Sequence, residues 1–422
     1  MAEASGIAAG DLSLLADLLS VSMAPAAARD ELSPLDRKER TLALLLDSLA
    51  ALSRQTPVLM LFEDLHWMDA TSRELLERTV ARIEHWPVLL IATSRPEYQP
   101  PWLGQAHVTL LALSRLSRHA GAALVRELTA SAHTLPPDVI DEIIERTDGV
   151  PLFLEEVTKD VLESADSRNV VAALPGARAH VPATLQASLL ARLDRLGPTA
   201  REVAQAGAAI GRDFAYDILV ATARHPEADV RKALDRLVDA GLVFQRGTPP
   251  AATYQFKHAL VQDTAYGTLL RGARQVLHER IAAALEARAP DRIEREPEIL
   301  AYHLTEAGAH ERAAAYWLAA GRRAAARSAN VEAHAHLRRG IETLTTVAET
   351  ESRLRVDLAL QLALGPIVQS SLGFTSPEAY RAYRRARDLT LRVDDDRAVF
   401  AATWGLWLST AGQNNIARQG LV

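Results

Sequence analysis

Two apolar runs near the start of the chain have the pattern of buried strands. Val58–Phe62 is unbroken apolar sequence and residues 88–93, VLLIAT, are nearly so, which is typical of strands covered on both faces. Residues 107–113, HVTLLAL, form a third such run. Between the first two runs, apolar residues at helical spacing predict a helix. We expect this helix to begin with a capping box formed by Thr71-Ser-Arg-Glu74. Strand, helix, strand and strand predict a parallel α/β layer.

The rest of the chain has helical spacing almost throughout. Leucines recur at helical intervals over residues 11–22 and 38–53, and the segment between them, which contains Pro25 and Pro34, is predicted to be a loop. Residues 242–244 and 254–256 flank a turn-rich segment and predict a β-hairpin among helices, which is the order of a winged helix. From residue 297 onward, alanine-rich amphipathic segments predict successive antiparallel helices of the tetratricopeptide kind. The predicted fold class is therefore α/β followed by all-α.

Composition places the chain among globular proteins and narrows its function. Its 422 residues suggest about two to four domains. The net charge of −6 comes from acids and bases mixed along the chain, which argues against a dedicated nucleic-acid surface. The absence of cysteine excludes disulfides and cysteine-metal sites and fits the cytoplasm. No apolar run reaches the roughly 18 residues of a membrane span, and no basic region precedes the N-terminal apolar stretch, so neither membrane insertion nor secretion is expected.

Acids follow the first strand, and an arginine follows the second. Glu63 and Asp64 would lie at the carboxyl edge of the sheet, where open α/β folds bind ligands and where carboxylates can hold magnesium and orient water. Arg95 would lie beside them, within reach of a terminal phosphate. The alternatives are solvated acids at an ordinary strand end and an ion pair between Arg95 and Glu97. A third motif, residues 146–156 (RTDGVPLFLEE), joins two helices, and a plain helix–turn–helix connection would also explain it.

In this order, these stretches resemble the signal-transduction ATPases with numerous domains (STAND ATPases), within the AAA-related P-loop group. The likeness covers five stretches: FEDLHWMD (62–69), ATSRPE (92–97), DGVPLFLEE (148–156), VPATLQASLLARLDRLGP (181–198) and YQFKHALVQDTAYGTLL (254–270). It is strongest for bacterial proteins in which a class III adenylate cyclase domain precedes such an ATPase and a tetratricopeptide-like tail.

The resemblance implies a role for each residue that follows a strand. The acids match the Walker B motif of the family, with Glu63 assisting magnesium and Asp64 as the catalytic or water-orienting carboxylate. Family members often carry aspartate at the first place, where this chain has the longer glutamate. Arg95 matches the sensor arginine that contacts the γ-phosphate. Asp69 belongs to the same motif as the acids, and it could equally cap the helix that follows.

Other matched residues lie in the helical part. Gly149 and Pro151 match the GxP motif, whose rigid proline packs against adenine. His258 resembles the winged-helix histidine that contacts the β-phosphate of bound ADP and holds the resting state closed. The alternative for His258 is a histidine satisfied at a helix start. The cofactor that the resemblance implies is ATP or ADP with magnesium.

The resemblance also implies four segments. These are a partial P-loop NTPase α/β domain (1–115), a helical lid (116–180), a winged-helix domain (181–275) and incomplete tetratricopeptide-like repeats (276–422). The repeats would bind a protein partner. The effector would be a class III adenylate cyclase or a similar enzyme, and the location would be the cytoplasm.

The phosphate-binding loop of the family is absent from this sequence. Its pattern, G-x-x-x-x-G-K-[ST], requires a glycine followed by lysine, and no glycine here is followed by lysine. The strand that delivers this loop, between strand 88–93 and strand 107–113, is missing as well. Because the loop supplies most phosphate contacts, we expect this chain alone to bind ATP weakly or not at all, with an upstream cyclase or P-loop segment as partner. The alternatives are a non-enzymatic interaction scaffold and part of a STAND-type transcription regulator.

Overall fold

A computed structural model describes residues 14–16, 18, 33–129, 135–168 and 184–419 of the chain. The described residues are mostly helical, with two small sheets. They fall into two compact units, one from Met1–Leu111, Glu296–Tyr302 and Ala309–Val422, the other from Ala112–Arg295 and His303–Gly308. The helix predicted over residues 11–22 is described only at 14–16 and 18, which are helical, and the predicted loop around Pro25 and the start of the matched stretch, residues 181–183, lie outside the described residues.

The first unit combines a small parallel sheet with a series of helices. In chain order its elements are α1 (Pro34–Gln55), β1 (Val58–Phe62), a 3-10 turn (Leu65–Trp67), α2 (Ala70–Arg82), a second 3-10 turn (Ile83–His85), β2 (Val88–Ala92), and then α14 (His310–Ala326), α15 (Asn330–Leu344), α16 (Glu351–Leu372), α17 (Pro377–Thr390) and α18 (Asp396–Gln419). From α14 onward each helix packs on the next, which is consistent with a helical solenoid.

The second unit is helical around a small antiparallel sheet. In chain order its elements are α3 (Arg118–Thr129), α4 (Pro137–Thr147), α5 (Pro151–Arg168), α6 (Leu185–Arg195), α7 (Pro198–Ile210), β3 (Asp213–Ala215), α8 (Tyr216–Thr222), α9 (Glu227–Asp239), β4 (Val243–Arg246), β5 (Thr253–Phe256), α10 (Ala259–Gly267), α11 (Arg271–Arg288) and α12 (Pro290–Arg295). The next helix, α13 (Pro297–Glu306), has residues in both units.

Strands β1 and β2 pair in parallel and in register, with Phe62 opposite Ala92. One face of this sheet packs against a cluster that includes Leu76 and Trp102. The opposite face is uncovered, because its four apolar side chains are exposed: Leu59, Leu61, Leu89 and Ile91. In the described part of the chain the sheet is therefore covered on one face only, although its sequence has the pattern of strands covered on both.

The third strand predicted over residues 107–113 is not formed. This segment has no strand structure, and Leu110, Leu111 and Leu113 are 73%, 79% and 96% exposed. A strand is held by hydrogen bonds to a neighbour, and among the described residues the parallel sheet consists of β1 and β2 alone. Without a strand between it and β2, the segment has no ladder to join.

Helix boundaries near the sheet differ from those predicted. The capping box at Thr71 was wrong, because α2 begins at Ala70 and Asp69 is its N-cap, accepting a hydrogen bond from Ser72 N (2.8 Å). The backbone N–H of Thr71 instead donates to Glu332 Oε1 of α15 (3.1 Å). Pro34, assigned to a loop, is the first residue of α1, because the first turn of a helix needs no N–H from it.

Two glycines of the helical series allow close contact with one tyrosine. A Cβ atom at Gly365 of α16 would lie 2.3 Å from the ring of Tyr383, and one at Gly405 of α18 would lie 2.1 Å from it. The buried Tyr383 hydroxyl donates to Gln369 Oε1 (3.2 Å), and burial raises its pKa to about 12. The ring of Tyr383 in α17 thus packs directly on the backbones of two neighbouring helices, α16 and α18.

The antiparallel sheet of the second unit has the order β3-β5-β4. The predicted β-hairpin is present, with β4 and β5 paired from Val243 opposite Phe256 to Arg246 opposite Thr253. Aromatic side chains of the strands, among them Phe214 and Tyr254 with ring centroids 5.8 Å apart, pack in a core with α6 to α10. Helices α3 to α5 form a separate core around Val125, Ile143 and Leu154.

A buried pair of histidines joins α11 to α13. His278 Nδ1 and His303 Nδ1 are 2.9 Å apart, and the other nitrogen of His278 lies 2.9 Å from the hydroxyl of Tyr266. Burial lowers the pKa of His278 to about 4 and that of His303 to about 3, with the nearby Arg274 and Arg292 adding to the effect. One Nδ1 can donate to the other only while the accepting ring is neutral, so protonation of both rings would break the contact.

Replacing Gly365 by alanine should destabilise the protein by about 1–3 kcal/mol, because the added Cβ would overlap the Tyr383 ring. The matched control is Gly272→Ala in α11, where nothing lies within 4 Å of the added Cβ and the change should stay within about 1 kcal/mol. Thermal unfolding followed by far-UV circular dichroism compares the two. Equal stability of both variants would contradict the packing described.

Acidification should destabilise the second unit. The folded-state pKa values of His278 and His303, about 4 and 3, lie below the ordinary value of 6.5, so the unfolded chain binds more protons. The two histidines contribute fully to the free energy of unfolding above about pH 6.5. This contribution is lost as the pH falls toward their folded-state pKa values, by about 2 kcal/mol per histidine between pH 7 and pH 5.

Unfolding measured across this range checks the expectation. His303→Leu removes one of the two titrating groups and should make the dependence on pH shallower. His119→Gln, at an exposed position of the same unit, is the control and should leave the dependence unchanged. A His303→Leu protein as acid-sensitive as the parent would show that the pair is not responsible.

Candidate functional site

The two acids lie in a tight turn at the carboxyl end of β1. Glu63 and Asp64 are exposed, and Asp64 has a left-handed backbone with φ of 59°, which aspartate tolerates better than most residues. Thr93, which follows β2, fixes this turn. Its hydroxyl accepts from Asp64 N (3.0 Å), its carbonyl accepts from Leu65 N (2.9 Å), and its own N–H donates to the carbonyl of Phe62 (2.8 Å).

Arg95 lies two residues after Thr93, at the same edge of the sheet. Its side chain is exposed, and within the described part of the chain no carboxylate forms an ion pair with it. The alternative ion pair with Glu97 is therefore not formed. Since parallel strands end at one edge, the fold places Glu63, Asp64 and Arg95 at that edge.

Asp69 is a structural residue in this arrangement. As N-cap of α2 it receives the hydrogen bond from Ser72 N, and its pKa is lowered. Burial by itself would raise this pKa, and the hydrogen bonds, chiefly from Ser72, outweigh it. The capping alternative for Asp69 is thus what the structure shows.

A turn at Gly149 precedes α5 and fixes the position at which this helix begins. Gly149 has φ of +68°, and a Cβ there would lie 2.3 Å from the carbonyl oxygen of Leu116. Its own carbonyl accepts a hydrogen bond from Leu116 N (2.8 Å). Both the backbone angle and the close contact therefore require glycine. Pro151 follows as the first residue of α5 and is exposed.

One carboxylate on α5 connects this turn to the start of α10. Glu155, one turn after Pro151, accepts from Lys257 Nζ (2.8 Å) and also pairs with Lys159. Burial would raise the pKa of Glu155, and the two lysines outweigh it and lower the pKa to about 2. In return, the hydrogen bond that Lys257 donates to Glu155 raises the pKa of Lys257. The ion pair holds Lys257, and the His258 that follows it, close to α5.

His258 is the N-cap residue of α10, but its side chain forms no capping hydrogen bond. The Nε2 atom is buried and has no hydrogen-bond partner among the residues that the structure describes. Burial lowers the pKa of His258, and the charge of Lys257 adds to this. A buried polar atom without a hydrogen-bond partner costs free energy of folding. His258 is therefore not the histidine with satisfied hydrogen bonds that the alternative interpretation expects.

The predicted site residues thus form two groups. Glu63, Asp64 and Arg95 lie in the first unit, whereas Gly149, Pro151 and His258 lie in the second.

Sequence reasoning missed Thr93, the ion pair of Glu155 with Lys257, and a buried ion pair between Glu156 and Arg192. The side chains of this buried pair are 1% and 2% exposed, and Arg192 Nη2 also donates to the carbonyl of Ala240 (2.6 Å). Lysine offered one signal, because it occurs at only four positions in the sequence and two of them meet at Glu155.

Comparison with known proteins finds similar chains among curated proteins and among solved structures. The chain is 33% identical over 376 residues to an uncharacterised protein of Rhizobium meliloti (strain 1021), a match that covers 88% of this chain and 36% of that protein. The chain therefore spans about a third of the length of this curated relative. Among solved structures it is similar to the STAND protein with a tetratricopeptide repeat sensor from Pyrococcus horikoshii, with 12% identity and a TM-score of 0.42 over 86% of this chain and 54% of that one. No family model matches the chain. Within the described residues, no helix is both long and apolar enough to span a membrane.

Replacing Thr93 by valine should loosen the acid turn, because Asp64 N loses its acceptor while the shape of the side chain is kept. We expect the amide hydrogen of Asp64 to exchange about five- to tenfold faster, which corresponds to the loss of one ordinary hydrogen bond. Thr93→Ser keeps the hydroxyl and is the matched control. Hydrogen exchange measured by NMR gives the comparison, and equal rates in both variants would show that the hydroxyl does not hold the turn.

Proposed function

We propose that the chain is part of an ATP-dependent signalling switch of the STAND type. The observation that supports this most directly is the exposed edge of the sheet that carries Glu63, Asp64 and Arg95 after two parallel strands. Two acids and a cation at such an edge match what a nucleotide phosphate and its magnesium require.

The acids are suited to a metal that shares its ligands with a nucleotide. In the described part of the chain, no group of three or more histidine, aspartate or glutamate side chains could hold a metal ion alone. Mg²⁺ usually keeps several waters and takes one or two carboxylates together with substrate phosphates, so Glu63 and Asp64 fit as its protein ligands. When bound, the metal would neutralise phosphate charge. Asp64 would accept a hydrogen bond from the attacking water and orient it, and Arg95 would contact the γ-phosphate.

In the second unit, Gly149, Pro151 and His258 match positions that bind nucleotide in the family that the sequence resembles. Pro151 presents a rigid ring that can pack against adenine, and Gly149 fixes the turn that places it. Burial lowers the pKa of His258 and so favours the neutral ring, and its buried Nε2 in the N–H form could donate to a phosphate oxygen. A bound phosphate would thus supply the partner that Nε2 needs.

The proposed organisation is a partial α/β nucleotide domain (1–115), a helical lid (116–180), a winged-helix domain (181–275) and tetratricopeptide-like repeats (276–422). The repeats would bind a protein, and nucleotide state would control an effector such as a class III adenylate cyclase in the cytoplasm. A strand and phosphate-binding loop from outside this sequence would complete the sheet beside β2. This assignment explains why residues 107–113 have the composition of a strand but no partner.

A non-enzymatic interaction scaffold is the second candidate, and one surface favours it. Phe400, Trp404 and Trp407 of α18 are exposed and stacked, with ring centroids 6.4 Å and 5.0 Å apart. Aromatic side chains of this kind are enriched where proteins bind one another. For a scaffold, neutralising the acids with Glu63→Gln and Asp64→Asn would leave partner binding unchanged in the presence and absence of nucleotide.

We expect this chain alone to bind MgATP more weakly than about 1 mM in isothermal titration, because the sequence supplies no phosphate-binding loop. Low-micromolar binding by the same chain would contradict this. The DNA in front of the Met1 codon provides an independent test. An in-frame G-x-x-x-x-G-K-[ST] segment favours the switch, whereas a ribosome-binding site at that codon favours the scaffold.

If such a segment is present, the extended protein should bind MgATP, and Asp64→Asn should reduce hydrolysis far more than binding. His258→Gln should weaken ADP binding, whereas His119→Gln, at an exposed position of the same unit, should not. An extended protein that hydrolyses ATP equally well with asparagine at position 64 would refute the role of Asp64.

A further inference from the structure

A cavity of about 240 Å³ opens in the second unit, and none of the predicted site residues lines it. Its walls come from α7, from the end of α8 with the turn that follows, and from α11. Apolar side chains line much of the cavity, among them Val203, Leu269 and Leu277. A small apolar group could therefore be accommodated there.

Two arginines that line this cavity, Arg224 and Arg280, form no ion pair with an acidic residue in the described part of the chain. Arg280 Nη2 donates to the carbonyl of Ala223 (2.9 Å), which fixes the guanidinium at the wall, and Arg224 is the next residue in the chain. Burial lowers the pKa of Arg280, and the positive charge of Arg224 adds to this effect. In the described part of the chain neither arginine forms an ion pair with a carboxylate. Two like charges held together cost free energy unless an anion joins them.

The one carboxylate in the cavity wall is already engaged. Glu202 Oε2 lies 2.8 Å from His225 Nε2, and both residues line the cavity. The amide of Gln205 donates to the Thr268 hydroxyl (2.8 Å). Among the charged side chains of the wall, Arg224 and Arg280 are therefore the two that remain to receive a ligand.

We propose that this cavity binds a small organic anion with one acidic headgroup and a short apolar body. The headgroup lies between Arg224 and Arg280, whose planar guanidinium groups suit a carboxylate or phosphate. The apolar body packs against Val203 and Leu277. Because these walls belong to α7, α8 and α11, the ligand stabilises the packing of α11 on the helices before it.

The test uses the full chain and three probes in isothermal titration. Octanoate has both features of the ligand, octan-1-ol has the apolar body alone, and sulfate has the charge alone. We expect octanoate to bind at least about tenfold more tightly than either of the other probes, because a guanidinium–carboxylate pair is a strong charge-assisted contact. No binding of octanoate, or equal binding of octan-1-ol, overturns the proposal.

Variants of the two arginines test whether octanoate binds in this cavity. Arg280→Met keeps an apolar stem and should weaken octanoate binding at least about tenfold, and Arg224→Gln should weaken it severalfold. Arg224 is exposed and forms no ion pair, so its replacement should leave folding intact even if Arg280→Met does not fold. Arg288→Gln, in the last turn of α11 and outside the cavity, is the matched control. Octanoate binding unaffected by Arg224→Gln, or weakened as much by Arg288→Gln, overturns the assignment.

Discussion

In both units, a glycine lets the backbone of one segment contact a bulky group of another segment, and this contact fixes how the two segments pack. In the helical series the ring of Tyr383 is pressed against Gly365 and Gly405, so α16, α17 and α18 are held at distances that no larger residue would permit. At the Gly149 turn the carbonyl of Leu116 takes the place where a side chain would be. Such contacts leave little freedom to shift, because a packed interior does not accommodate even one added carbon without rearrangement. The position of Pro151, and hence of Glu155 one turn later, follows from this constraint.

Adjacent acids on α5 have different environments and different roles. Glu156 is buried with Arg192, which also binds the carbonyl of Ala240 after α9, so the pair ties three segments together. Glu155 is more accessible and shares two lysines. Breaking a buried pair leaves a charge without compensation, whereas an exposed pair exchanges readily with solvent and other ions. The Glu156 pair is therefore structural, while Glu155 and Lys257 form the part of this region that an incoming anion could rearrange.

Local pattern predicted the elements that depend on local chemistry. The apolar runs gave β1 and β2, the turn-rich segment gave the hairpin of β4 and β5, and parallel pairing brought Glu63, Asp64 and Arg95 to one edge. The pattern failed at residues 107–113, because a strand also needs a neighbour, and at Thr71, because Asp69 competes for the same capping position. Thr93 and the pair of Glu155 with Lys257 could not be predicted. The first depends on strand register, and the second joins residues 102 positions apart.

The hydrogen bond from Thr71 to Glu332 has a consequence for the order of folding. Its partners are separated by 261 residues, and the whole sequence of the second unit is encoded between the two main parts of the first. At synthesis rates of about 5–20 residues per second, Glu332 emerges roughly 13–50 s after Thr71. The second unit can therefore be complete on the ribosome while the first still lacks α14 to α18. During that interval the N-terminal strands remain without their late partners, and this is when a chaperone would have to protect them.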